Sequence, residues 1–416
     1  MRLTLIHPCI GRWAGDKTYI RSWQMEPLAP ALLAGLTPSD ISVQFFDDRL
    51  ESIPFDQPTD LVAISIETYT ARRAYQIAME YRKRGVPVVM GGFHATMRQQ
   101  EASKYADAVV VGEAEEQWAA VIDDARHGTL QRFYRQDRRP DLKLTKLDRS
   151  IFRGKRYVPV TLVEAGRGCH FVCEFCAVQS YYGATQTRRT IADTLGEDQE
   201  TRDHSRLYFF VDDNITSNLD EAKELYRQLA RYKIRWVSQA SINAAHDEEF
   251  LDLISKSGCQ GLLIGFESLD RDNLLKMRKK FNTMGGGYAV ALANLRLYST
   301  FVFGYDKDNR ESFDEAVEFA NQHRFYMAAF NHLTPFPGTP LYERLEQEGR
   351  LLYDPWWLDP GYSYNKIPFR PQLLEPEELQ RLCLDARAKF YSIKSMARRF
   401  IDPVNRSNAF MARNFP

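Results

Sequence analysis

The stretch "GRGCHFVCEFC" (166–176) holds three of the chain's six cysteines, Cys169, Cys173 and Cys176, in a CxxxCxxC spacing. Thiols gathered this closely are either metal ligands or small apolar residues of a core. Core cysteines rarely cluster in one loop among glycine and charge, so the spacing favours ligation. A structural zinc site normally takes four ligands. The nearest histidines are His170 and His204, and no second Cys or His pair follows. Three thiolates on a 4Fe-4S cluster would instead leave one iron without a protein ligand, open to a small molecule.

The loop follows the first of six apolar runs, "VPVTLVEA" (158–165), "LYFFVDD" (207–213), "IRWVSQA" (234–240), "GLLIGFES" (261–268), "STFVFGYD" (299–306) and "AAFNHLTP" (328–335). Helical stretches such as 219–232 and 247–258 separate them. Six strand–helix units are too few for an eight-stranded barrel and predict a partial one, with its chemistry at the carboxyl-terminal rim. Upstream, five runs (2–8, 42–48, 60–66, 86–92 and 107–113) alternate with helical segments, one of them 70–85, which ends in glycine. That rhythm predicts a parallel, doubly wound, Rossmann-like sheet. The expected order is an α/β chain with a first domain over 1–135, a charged linker over 136–155, a partial barrel over 156–345 and a mostly helical region over 346–416. In that last region Trp356, Trp357, Tyr362 and Tyr364 read as packing of the tail against the barrel, with a cover over substrate as the alternative. A helix expected over 287–295 leaves almost no loop before the strand near Leu297, where a few residues are usual.

Length and composition exclude several classes. At 416 residues, 44% hydrophobic and 26% charged, the chain is long enough for two or three ordinary domains. The 55 Lys and Arg balance 55 Asp and Glu, and without a basic stripe nothing points to nucleic acid. No apolar run approaches the roughly 18–20 residues of a membrane span, and the N-terminus does not read as a signal peptide. The expected location is the cytoplasm, where thiols stay reduced.

With the cysteine motif, an aromatic Phe175 before the third cysteine, and segments such as "GGFHAT", "FFVDDNI", "WVSQASIN", "GFES" and "TPFPGTPLY", the chain resembles radical S-adenosylmethionine enzymes with an N-terminal cobalamin-binding domain. The resemblance implies that Cys169, Cys173 and Cys176 hold a 4Fe-4S cluster whose open iron is chelated by S-adenosylmethionine. It assigns that cofactor to the strand ends carrying Asp212, Asp213 and Asn214, Gln239, Ser241 and Asn243, and Glu267 and Ser268. Cobalamin would meet Ser65, Thr68 and Thr70, Gly91, Gly92 and His94, and Gly112 and Glu113. No D-x-H-x-x-G motif occurs, so a histidine as lower cobalt ligand is not indicated.

Cys9 alone in the first third argues against a methylthiotransferase, and Cys383 alone in the tail against auxiliary clusters; one cluster is expected. The leading expectation is methylation of an unactivated carbon of a small-molecule or natural-product substrate. A flavodoxin or ferredoxin would supply electrons. A radical enzyme that rearranges, cyclises or transfers the 3-amino-3-carboxypropyl group, without methylcobalamin, stays open. So does a non-catalytic zinc protein.

Overall fold

A computed structural model describes residues 1–10, 24–136, 138–196, 207–283, 295–407 and 414. His204 and nearly all of the helix expected over 287–295 lie outside these residues. Two units are distinguished: Met1–Leu162 with Phe336–Gly338 and Asp354–Tyr364, and Val163–Pro335 with Thr339–Tyr353 and Asn365–Pro416.

The first unit is built on strands β1 (Arg2–His7), β2 (Ser42–Asp47), β3 (Leu61–Ser65), β4 (Val88–Gly91), β5 (Ala108–Val111) and β6 (Phe133–Arg135). They pair in parallel in the order β2-β1-β3-β4-β5-β6. The run "LVAI" of β3 is apolar throughout because both faces of a central parallel strand are covered. Helix Ala71–Lys83 buries Ala71, Ala74, Tyr75, Ala78 and Tyr81, a stripe at helical spacing. The order reverses between β1 and β3, which makes the carboxyl ends of the central strands the place for a ligand.

β6 escaped the sequence reading because only Tyr134 of its three residues is buried. The expected linker over 136–155 is a second correction. Leu142 and Phe152 are buried, Phe152 packs edge-on against Phe45 and Tyr157 with centroids 5.5 Å away in each case, and Asp148 N–H donates to Ala31 O. The charges of this segment face outward around a few apolar anchors, so it folds into the first unit.

The second sheet holds β7 (Val160–Val163), β10 (Leu207–Phe210), β11 (Arg235–Ala240), β12 (Cys259–Glu267), β13 (Arg296–Phe303) and β14 (Met327–His332), in the order β14-β13-β12-β11-β10-β7. These are the six expected runs, displaced by a few residues at their ends. A small antiparallel hairpin, β8 (Gly166–Gly168) with β9 (Gln186–Arg188), is inserted after β7 and brackets the cysteines. Along β13, Leu297, Ser299, Phe301 and Phe303 are buried while Arg296, Tyr298, Thr300 and Val302 are half-buried. One face is therefore more deeply covered than the other, the alternation of a strand with unequally covered faces. Helix Leu219–Tyr232 starts where the Asn218 side chain accepts from Asp220 and Glu221 N–H, and helix Glu248–Lys256 starts at Asp247 in the same manner.

The tail carries helices Pro376–Phe390 and Ile393–Phe400. The Arg399 guanidinium is fully buried, lies 3.8 Å from the Phe390 ring centroid and donates to the carbonyls of Phe325, Tyr326 and Phe390. The aromatic group of the tail does not pack on the barrel as expected. Asp354–Tyr364 belongs to the first unit, where Tyr69 meets Phe336, Trp356 and Tyr364 at 5.6, 5.4 and 5.1 Å. No helix of the described residues is long and apolar enough to cross a membrane.

Phe152→Ala is expected to cost about 3 kcal/mol and lower the melting temperature of the first unit by roughly 10 °C, measured by calorimetry. A solvated linker would show almost no change.

Candidate functional site

The cysteine loop is held from three sides. Three consecutive residues after β10 grip its start. Asp212 Oδ1 accepts from Ala165 N–H at 2.9 Å, Asp213 Oδ2 accepts from Gly168 N–H at 2.7 Å, and Asn214 Nδ2 donates to Cys169 Sγ at 3.4 Å. In its middle, Glu174 is buried, with Tyr305 OH donating to Oε2 and Arg344 Nε to Oε1, both at 2.7 Å. On the third side Phe171 stacks on Phe281 with centroids 4.1 Å apart. His170 is exposed and its Nδ1 is 2.9 Å from Ser217 Oγ.

Burial pushes the Cys173 thiol up to about 12, against the pull of Lys279, and the charges of Cys176 and Cys169 add to the rise. The Cys176 thiol is raised as well, first by burial, while the backbone N–H groups of Gln179 and Val178 oppose it. Soft cations displace protons from such thiols, because a thiolate is the ligand form. The three thiols share one clamped loop and act on one another electrostatically, although among the described residues no three His, Cys, Asp or Glu side chains stand together as they would around a metal ion.

The remaining rim residues divide by role. Asp212 is wholly buried, and burial pushes its carboxyl up to about 7 despite Arg188 and the backbone N–H groups of Ala165 and Gly166. Its carboxylate accepts from Ala165 N–H and Arg188, at the foot of the hairpin. Gln239 donates to Asp212 O at 2.9 Å, and Ser241 Oγ lies 3.1 Å from Asn214 Nδ2. Ser268 closes a local turn by accepting from Asp270 N–H. Asn243 differs from these, since its Oδ1 is buried and has no partner. Such an oxygen is costly to leave unmet, and an N–H of a polar cofactor would satisfy it. Glu267 sits at a bulge in the β12–β13 pairing with φ 65°. Its carboxylate accepts from Lys279 Nζ at 2.8 Å, and both residues are buried. Bulges and left-handed non-glycine residues are common where a side chain is re-aimed at a site.

In the first unit the singled-out residues occupy the carboxyl ends of β3, β4 and β5. Ser65 and Gly91 are the last residues of their strands and half-buried. Gly92 has φ 96°, and a Cβ there would come within 2.8 Å of Ile66 O. The glycine thus lets two strand-end loops approach each other, not a ligand. Gly112 has φ 91° with open space where a Cβ would stand, and its N–H donates to Thr96 Oγ1. Glu113 is ion-paired with Arg139 at 3.1 Å.

Thr68, Thr70 and His94 are buried. Thr70 Oγ1 closes a capping box with the Glu67 backbone. His94 is fully buried, with Nδ1 3.2 Å from Thr68 Oγ1 and Nε2 3.1 Å from Glu101 Oε1. Burial keeps His94 below the usual histidine range, so the ring is neutral, donating from Nε2 and accepting at Nδ1. Glu101 also accepts from Tyr75 OH and Trp357 Nε1, both at 2.9 Å.

Sequence reasoning missed Glu174, Arg344, Lys279 and Asn282. Glu174 was visible inside the motif itself. The others lie far from it in the chain, and no local pattern marks them.

A model of the radical SAM superfamily matches residues 163–320. The bacteriochlorophyllide d C-12(1)-methyltransferase of Chlorobaculum tepidum is 31% identical, over 90% of this chain and 84% of that protein. The bacteriochlorophyllide d C-8(2)-methyltransferase of the same organism is 28% identical, over 89% and 86%. Among solved structures, the radical S-adenosylmethionine methyltransferase TsrM of Kitasatospora setae, with cobalamin and a 4Fe-4S cluster bound, has a TM-score of 0.65 at 16% identity, over 94% of this chain and 81% of that one. The family match, with 31% identity to one relative over 90% of this chain, places the chain in the radical S-adenosylmethionine superfamily.

Proposed function

We propose that this enzyme methylates an unactivated carbon of a small organic, natural-product-like molecule. The observation that carries the reading is the 31% identity to a methyltransferase over 90% of the chain. Cys169, Cys173 and Cys176 hold the iron–sulfur cluster. The β10–β12 ends, through Asp213, Gln239, Asn243 and Glu267, hold S-adenosylmethionine. Ser65, Gly91 and Gly112 form the cobalamin shelf. Bound there, the cluster supplies an electron for reductive cleavage of S-adenosylmethionine, and cobalamin supplies a methyl carrier.

The chain's own residues supply position. Asn214 and Asp213 fix the first cysteine and its strand end. Glu174, neutralised by Arg344, fixes the stretch between the second and third cysteines. Glu101 fixes His94, and through it Thr68, so that loops after β3 and β4 move as one body. Open thiols and an iron–sulfur cluster call for a reducing compartment, the cytoplasm, with a flavodoxin or ferredoxin as electron donor.

After anaerobic reconstitution with iron, sulfide and cobalamin, mass spectrometry of the S-adenosylmethionine fragments is expected to show 5'-deoxyadenosine together with S-adenosylhomocysteine. Methylthioadenosine, or 5'-deoxyadenosine without the homocysteine product, would replace methylation by a different radical reaction. Cys173→Ala should abolish the visible absorption of the cluster and all cleavage of S-adenosylmethionine; retention of both would remove this residue from the ligand set. Arg344→Ala strands the buried Glu174 carboxylate and should cost about 3 kcal/mol in denaturant unfolding. Cluster content should fall with it, whereas an unchanged melt would mean that the ion pair does not hold the loop.

A further inference from the structure

The turn Lys280–Thr283 follows β12 and is pressed against the cysteine loop through the Phe281–Phe171 stack. Within it Asn282 is 6% exposed. Its Nδ2 donates to Gly265 O and Phe266 O, each at 2.9 Å. This fixes the amide's orientation, since the opposite one would set an oxygen against two carbonyls. Asn282 Oδ1 then faces away from the strand end, buried and, among the described residues, without a partner. Lys279 donates to the same Gly265 carbonyl at 3.0 Å and to Glu267 at 2.8 Å, so the amide and the ammonium share one anchor. The adjoining turn, Ile242–His246, carries a further unmet amide oxygen, Asn243 Oδ1, and Gln186 of the hairpin that brackets the cysteines carries another.

A well-packed interior rarely leaves such oxygens unpaired. Asn282 Oδ1 and Asn243 Oδ1 stand on neighbouring turns, Asn282 next to the Phe281 that stacks on the cysteine loop, and an N–H donor of a ligand would satisfy them. We propose that Asn282 is a binding residue for S-adenosylmethionine whose Oδ1 accepts a hydrogen bond from a nitrogen of that molecule. Either the adenine amino group or the N–H of the α-amino group supplies this chemistry. Asn282 thereby makes the site selective for a ligand that donates at that point. The inference rests on the reading that S-adenosylmethionine binds at the β10–β12 ends.

The test is equilibrium binding to the cluster-loaded, full-length protein, with Asn282→Ala and Asn282→Ser; the serine keeps a donor for the strand-end carbonyls and withdraws the outward acceptor. Visible absorption and thermal melting confirm that each variant retains cluster and fold. Three ligands are compared: S-adenosylmethionine, its analogue without the adenine amino group, and its analogue without the α-amino group. Both variants should bind S-adenosylmethionine about tenfold more weakly, the effect of one hydrogen bond. One analogue should lose affinity for the wild type and lose nearly nothing further in the variants, which names the nitrogen. Unchanged affinity in both variants would overturn the role of Asn282 while leaving the site in place. Failure of the wild type to bind S-adenosylmethionine at all would overturn both.

Discussion

Glu174 is the charge buried inside the cysteine loop, and the placement of the three thiols depends on how that charge is met. A lone carboxylate in such a position would be expelled or protonated. Arg344 meets it with a charge-assisted hydrogen bond and Tyr305 with a second. Arg344 comes from helix Pro340–Gln347, and Tyr305 follows β13. The loop after the first barrel strand is thus tied to the far edge of the sheet, and the six-stranded arc is spanned by an ion pair at the level of the cysteines. The triplet Asp212, Asp213 and Asn214 supplies the opposite hold at the near edge. Between these two grips the loop that carries Cys169, Cys173 and Cys176 is fixed at two points, which is what the proposed cluster would need of it.

The first unit is organised by a comparable hub. Glu101 collects donors from Tyr75, His94 and Trp357, and His94 passes the constraint to Thr68. Burial works to raise the Glu101 carboxyl, and hydrogen bonds from His94, Trp357 and Tyr75 outweigh it, so it is held below the usual range and stays ionised. A segment from late in the chain, Asp354–Tyr364, is thereby built into a sheet made from its beginning. The strand ends with small residues, Ser65, Gly91 and Gly112, are left as the open part of that edge.

Much of this was legible in the sequence, for identifiable reasons. The strands of both sheets announce themselves because parallel strands covered on both faces need uninterrupted apolar runs, as in "LVAIS" and "LYFF". The three cysteines are legible because metal ligation demands a fixed spacing within one loop. Residues whose role depends on a distant partner were not legible. Asp212 and His94 read as cofactor contacts, yet Arg188 and Ala165 occupy the first, and Glu101 and Thr68 the second. The segment 136–155 read as a linker because its charges outnumber its anchors, although Leu142 and Phe152 suffice to bury it. Lys279 and Asn282 carry no local signal; only the bulge at Glu267 and the carbonyls it exposes explain why they are needed.

The central claim is that three thiolates hold a four-iron cluster and leave one iron to S-adenosylmethionine. Mössbauer and electron–nuclear double resonance spectroscopy of the 57Fe-reconstituted, reduced enzyme, with S-adenosylmethionine labelled at its amino nitrogen and carboxylate, tests this most directly. The account predicts one iron site whose parameters change when S-adenosylmethionine is added, with magnetic coupling to the labelled atoms. Four equivalent iron sites that ignore the ligand, or a site that takes up zinc in place of the cluster, would contradict it.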